Sequence, residues 1–163
     1  MKYRIMEWVN SIANGYNDKR YWKYRFKLYN KDLPNVLRYL YTYLCKRMEG
    51  KNGASLGVRP DGGSQFDSKP FLPHGIKGVF ITPYAHIGRN VTIQQQTTIG
   101  EKYVGSHVGP HIEDDVFVGV GARILGDIHI GKGAKIGANA VVIKDVPEGC
   151  TAVGIPSRIV GDY

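Results

Sequence analysis

Cysteine is scarce in this 163-residue chain: only Cys45 and Cys150 are present. Two thiols at that separation make neither a metal-ligand spacing nor a disulfide framework. Long apolar runs are missing as well. No segment is long enough to span a bilayer, and no apolar stretch near the start is flanked like a secretory leader. Together these point to a soluble cytoplasmic protein in a reducing compartment. Acidic residues are sparse in one region only. Residues 1–50 hold 11 Lys+Arg against 4 Asp+Glu, a net of +7, whereas residues 51–163 hold 11 against 10, a net of +1. No nucleic-acid recognition motif accompanies the basic third, so nucleic acid is not the expected partner. The charge marks either a solvated helical face or attraction to anionic headgroups or a lipid-linked glycan.

What is present is a six-residue rhythm. Ile81, Ile87, Ile93 and Ile99 recur in phase, and after one break Ile112, Val118, Ile124, Ile130, Ile136 and Val142 resume it. Four residues after most of these stands a second inward candidate: Ala85, Val91, Thr97, Val116, Ala122, Ile128, Ala134, Ala140 and Val146. Six fits neither an amphipathic helix nor an alternating strand, and fixed hexads mark a parallel β-helix. Each unit supplies one short strand and one corner, and three units close a triangular coil. Coils stack through backbone hydrogen bonds, and their apolar rows are buried only by stacking. The chain is therefore expected to be an all-β solenoid of about five coils over residues 51–160, preceded by a helical segment over residues 1–50.

The first segment holds eight of the 11 tyrosines and both tryptophans, Trp8 and Trp22. Asp32 and Pro34 open a helix with an apolar stripe of Val36, Leu37, Leu40, Leu44 and Met48, and Gly50 suits its stop. A second helix is expected around Tyr21, Trp22, Phe26 and Leu28. Residues 51–70 read as a linker into a ragged first coil. The 13-residue break between Ile99 and Ile112 reads as a loop, 101–111, extruded from a corner, where solenoids tolerate insertions and carry function.

The chain has five histidines. His86 and His129 fall in the last, outward slot of a hexad. His74 lies outside the phase, in Leu72-Pro73-His74-Gly75, and His107 and His111 fall in the loop. Neutral imidazole is a competent general base at ordinary pH. Gln94, Gln95 and Gln96 form a polar run that is either a stacked amide ladder or a source of oxyanion or acceptor contacts.

Residues 118–142 and the tail Ala152-Val-Gly-Ile-Pro-Ser-Arg-Ile-Val160 resemble the hexapeptide-repeat acyltransferases. The nearer likeness is to serine acetyltransferases and their relatives in capsule and exopolysaccharide synthesis. The resemblance covers roughly residues 55–160. It implies left-handed coils, acetyl-CoA as co-substrate, no metal, and a homotrimer with its site between subunits. It makes His74 the general base, with His107 a second catalytic candidate and His111 a weaker one on the acceptor side together with Gln95. Gly119, Val120, Gly137 and Ala138 would line the CoA groove, and Lys144 and Arg158 would meet its phosphates. The family has aspartate before the base histidine where this chain has Pro73, and its helical domain is longer. Both departures favour a sugar or polysaccharide hydroxyl over serine as acceptor. Serine O-acetylation, sugar N-acetylation, a γ-class carbonic anhydrase-like metal site on His74, His107 and His111, and a non-catalytic trimeric scaffold are the alternatives.

Overall fold

The computed structural model describes residues 15–160; Trp8 lies outside them. Helix α1 (Asp18–Lys27) begins where the Asn17 side chain accepts a hydrogen bond from the Arg20 N–H at 2.9 Å, satisfying one of the orphan donors of the first turn. Helix α2 (Asn35–Lys51) starts just after Pro34 and runs one residue past Gly50, to an Asn52 cap. Between the helices, Arg38 donates to the carbonyls of Leu28, Asn30, Lys31 and Leu33, so the tight connection keeps its backbone acceptors paired.

Burial on α2 corrects the expected stripe. Val36 is 79% exposed and Leu40 45%, while Cys45 and Glu49 are buried. The inward face is set by what α1 brings. The Tyr21 hydroxyl donates to Glu49 Oε1 at 2.7 Å, and the same oxygen accepts the Leu56 N–H at 3.2 Å. Arg25 is wholly buried and donates to the carbonyls of Gly62 and Ser64 and, at 2.7 Å, to Ser64 Oγ. The helices are thus pinned to the first coil by a buried polar network, inside an apolar cluster of Tyr21, Trp22, Leu28 and Phe66.

The rest is a three-walled parallel solenoid. The first wall stacks β1 (Ser55–Leu56), β3 (Phe80–Ile81), β6 (Thr98–Gly100), β9 (Arg123–Leu125) and β12 (Val141–Val142). The second stacks β2 (Gln65–Phe66), β4 (His86–Ile87), β7 (His111–Ile112) and β10 (His129–Ile130). The third stacks β5 (Thr92–Ile93), β8 (Phe117–Val118), β11 (Lys135–Ile136) and β13 (Thr151–Val153), with β14 (Arg158–Val160) added antiparallel. Five rungs thus stand in the first wall and four in the second. Register puts the aliphatic residues in line, Leu56–Ile81–Ile99–Ile124–Val142 on one wall and Phe66–Ile87–Ile112–Ile130 on the next. All of these are buried.

Two details differ from the hexad reading. Val146 pairs with Ile130 and takes the aliphatic slot of the second wall, because the last coil is two residues short. His111 belongs to β7 and not to the loop, which leaves only residues 101–110 extruded. No helix among the described residues is long and apolar enough to cross a membrane.

Candidate active site

The chain turns three corners per coil, so the prism has three edges. The edge from the third wall to the first gathers most of the expected site. Its successive corners are the turn at 73–78, then 94–97, 119–122 and 137–140. Each rests on the one before: Gln96 N–H donates to Lys77 O at 3.2 Å, Gly121 N–H to Gln95 O at 3.0 Å, and Asn139 N–H to Val120 O at 2.8 Å. A left-handed residue stands at each level: Gly78 (φ 64°), Gln96 (φ 60°), Gly121 (φ 69°) and Asn139 (φ 55°). Gln96 holds this conformation without the freedom of glycine, a local cost that the surrounding stack imposes.

His74 is exposed in the first of these turns, next to Gly75 at φ 68°. Tyr16 packs beside it; a Cβ on Gly75 would stand 3.7 Å from the Tyr16 ring. Directly along the edge come Gln95, Gly119, Val120, Gly137 and Ala138, so six of the residues expected from sequence share one line. Gln95 carries a buried side-chain oxygen with no hydrogen-bond partner among the described residues. An unpaired buried acceptor costs about 1–3 kcal/mol, so this oxygen is poised for an incoming donor. Thr97 completes the corner from inside, donating to Gln94 O at 2.8 Å.

The glycines have a reason of their own. A Cβ on Gly119 would lie 2.8 Å from Ala138 N and from Ile136 O, and one on Gly137 would lie 2.8 Å from Val153 Cγ1. The coil stacking therefore demands them whatever runs along the edge. Arg158, in β14, lies beside the last corner of this edge. Lys144 does not; it follows β12 on the edge from the first wall to the second.

The extruded loop leaves from that other edge. Glu101 anchors it: its carboxylate accepts from Thr82 Oγ1 at 3.1 Å, Gly105 N–H at 3.1 Å and Ser106 Oγ at 3.4 Å. Desolvation acts to raise the Glu101 pKa, but these bonds and one from the His107 N–H outweigh it and hold the carboxyl below its usual range. At the crest, Tyr103 and Val104 are exposed. His107 is left-handed (φ 56°), and its Nδ1 lies 2.6 Å from the Tyr84 hydroxyl. Arg59 donates to the same hydroxyl at 2.9 Å, with its guanidinium 4.7 Å over the Tyr84 ring. The resembled family carries its loop histidine directly before a proline. Here that position is Gly109, where a Cβ would meet Thr82 Cγ2 at 2.7 Å and the backbone of Tyr84 and Ala85 at 3.0 Å. No side chain fits there, so the only histidine on the loop itself is His107.

His111 is elsewhere again, on the outer face of the second wall. It is the middle rung of a column in register with His86 and His129, at ring-centroid separations of 4.5 and 5.3 Å. His86 pairs with Asp67 at 2.9 Å and His129 with Glu113 at 3.0 Å. Burial, then the two neighbouring imidazoles, hold the His111 pKa below its ordinary value. His74, His107 and His111 thus occupy two edges and a face of one prism and do not converge within a chain. Among the described residues no three His, Cys, Asp or Glu side chains are grouped to hold a metal. The imidazole column and the Arg59–Tyr84–His107 chain were missed from sequence. The shared slot of His86 and His129 was the available signal for the first.

Comparison with known proteins points to the repeat. Residues 109–144 match the bacterial transferase hexapeptide (six repeats) family. The serine acetyltransferase of Bacillus licheniformis is 45% identical over 107 residues, covering 64% of this chain and 48% of that protein. The serine acetyltransferase of Synechococcus elongatus is 37% identical over 136 residues, covering 82% of this chain and 51% of that one. Among solved structures, soybean serine acetyltransferase complexed with serine superposes with a TM-score of 0.67 at 38% identity, over 76% of this chain and 49% of that one. Serine acetyltransferase from Brucella abortus in complex with coenzyme A superposes with a TM-score of 0.69 at 29% identity, over 79% and 54%. The chain spans about half the length of the relatives it matches. With the ladder register, these likenesses show a left-handed β-helix in which residues 109–144 match the bacterial transferase hexapeptide repeat.

Proposed function

We propose that this chain carries the acyl-transfer site of an acetyl-CoA-dependent O-acetyltransferase, with serine as its acceptor. The observation that supports it most is the edge that lines up an exposed imidazole, His74, with the unpaired Gln95 oxygen and the stacked corners Gly119–Val120 and Gly137–Ala138. The names of the relatives favour serine over a sugar.

The chemistry asked of the edge is modest. Neutral His74 takes the proton of the acceptor hydroxyl as its oxygen bonds to the thioester carbonyl carbon. The tetrahedral intermediate collapses, the carbon–sulfur bond breaks, and the imidazolium returns the proton to the departing thiolate. The small corners admit a pantetheine arm lying along the edge, and Arg158 stands near its end for a phosphate. The loop springs from a different edge, so the His74 of one copy would work with the loop of a neighbour in a homotrimer.

A sugar hydroxyl is the second reading, favoured by Pro73: a carboxylate there would hold the ammonium group of serine, and proline offers none. The test is thiol release by the purified full chain from acetyl-CoA, with serine and with a panel of sugars and nucleotide sugars. Release with serine supports the first reading, and release with sugars alone moves the assignment to the second. No release with any acceptor overturns both.

A further inference from the structure

We infer that Arg59 and Tyr84 are positioning residues that lock His107 as a hydrogen-bond donor through Nε2, so that the loop histidine serves the acyl-transfer site as an oxyanion donor and not as a second base. The inference rests on the acetyltransferase reading for its catalytic half, while the tautomer itself stands on geometry alone.

The direction of the chain of bonds follows from what each group is able to give. A guanidinium only donates, so the 2.9 Å contact from Arg59 Nη2 uses a lone pair of the Tyr84 oxygen. That leaves the single phenolic hydrogen for the 2.6 Å contact to His107 Nδ1. The length agrees: 2.6 Å suits an O–H donor and is short for a ring N–H donating to oxygen. With Nδ1 accepting, a neutral imidazole carries its hydrogen on Nε2. Nε2 makes no hydrogen bond among the described residues, so its N–H is free for an incoming oxygen. Arg59 over the Tyr84 ring further polarises the hydroxyl toward donation.

The rest of the loop keeps the imidazole in place. The rings of Tyr84 and His107 meet edge to face, with centroids 5.2 Å apart. Glu101 gathers the preceding residues. The left-handed backbone at His107 is a conformation that a non-glycine residue holds only when its surroundings compel it. A fixed N–H aimed outward from a loop is what a tetrahedral oxyanion requires, and it leaves proton removal to His74.

The experiment uses the full chain labelled with nitrogen-15 at histidine, with His107 assigned by its loss in His107→Gln. At neutral pH the His107 Nδ1 resonance is expected at the position of an acceptor that receives a hydrogen bond, and in Tyr84→Phe it is expected to move to that of an unbonded acceptor. A wild-type Nδ1–H tautomer, or an Nδ1 resonance that Tyr84→Phe leaves in place, overturns the lock. The kinetic arm compares two variants whose folding is checked by thermal unfolding. Glutamine keeps an N–H donor but has no basic nitrogen. His107→Gln is expected to stay within about tenfold of wild-type kcat, and His107→Ala to lose about 10²–10³-fold. Equal losses in the two variants overturn the donor role. A wild type with no acetyl-CoA turnover defeats the enzymatic reading while the spectrum still decides the tautomer.

Discussion

Gly109 crosses directly over Ala85: a Cβ added to Gly109 would stand 3.0 Å from the Ala85 nitrogen, with Thr82 Cγ2 closer still at 2.7 Å. The loop returns to the prism through this contact, and the preceding coil forms its floor. Gly109→Ala should therefore cost about 1–3 kcal/mol from overpacking. Thermal unfolding reads this as a drop of a few degrees. An unchanged midpoint would show that the return segment shifts freely.

Two copies should share one site. His74 lies on one edge of the prism and His107 on the loop from another, so His74→Ala and His107→Ala damage opposite halves of the site. Each alone should lose about 10²-fold or more in turnover. Unfolding and refolding the two inactive variants together should restore about a quarter of wild-type activity, the share of sites that receive both intact halves by random mixing. Recovery no better than the parents would place both residues at one site within a chain, or neither at a site.

Arg25 should be irreplaceable by an apolar residue. Its guanidinium is wholly buried among the carbonyls of Gly62 and Ser64 and the hydroxyl of Ser64. Arg25→Met strips the buried Gly62 carbonyl of its side-chain donor and leaves the Ser64 carbonyl with the Tyr29 hydroxyl alone, at a cost of about 3 kcal/mol. Denaturant unfolding followed by tryptophan fluorescence checks it, since Trp22 packs 5.1 Å from Phe66 beside the same contact. A variant as stable as wild type would mean that water takes the place of the guanidinium.

Stability should fall on mild acidification, and His111 should carry part of the fall. Burial, then His86 and His129, depress its pKa below 6.5, against the opposing pull of Glu113 and Asp67. In that window the unfolded chain binds the proton more readily than the folded one. Stability is therefore complete above 6.5 and declines as pH drops toward the depressed folded value. His111→Gln should shrink the difference in denaturation midpoint between about pH 7.5 and about pH 5.5. An identical difference in the variant would remove His111 from the account.

The two thiols should react unequally. Both cysteines are free, Cys45 buried and Cys150 half-buried. Burial, then Glu49, pushes the Cys45 thiol up to about 12, with Arg25 opposing, so it has almost no thiolate to offer. A thiol reagent on native protein should label Cys150 alone, and Cys45 only after denaturant. Fast native labelling of two thiols per chain would contradict the burial of α2 against α1.

The shaft was legible because a hexad forces each residue to face in or out. Ile81 through Val142 needed only counting, and the wall positions of His86 and His129 came with it. His111 was not legible, because the phase break hid that β7 begins on it and not one residue later. The α2 stripe was misread at Val36 and Leu40 for another reason. Helical periodicity offers two plausible faces, and the choice was made by Tyr21 and Arg25, which select Cys45 and Glu49 across a distance that no local pattern records. The pairing of Tyr84 with His107 depends likewise on how far a loop folds back, and spacing is silent on that.

The antiparallel β14 covers the last rung of the third wall. A parallel stack presents a bare row of amides and carbonyls at its last rung, a template onto which further strands of any chain can add. By running antiparallel across Thr151–Val153, β14 takes up the edge groups of the third wall's last parallel strand. At the opposite end the Glu49 carbonyl takes the Ala54 N–H as the helices meet the first rung. The last rung of the third wall and the first rung of the first wall are thus both met by segments of the chain itself.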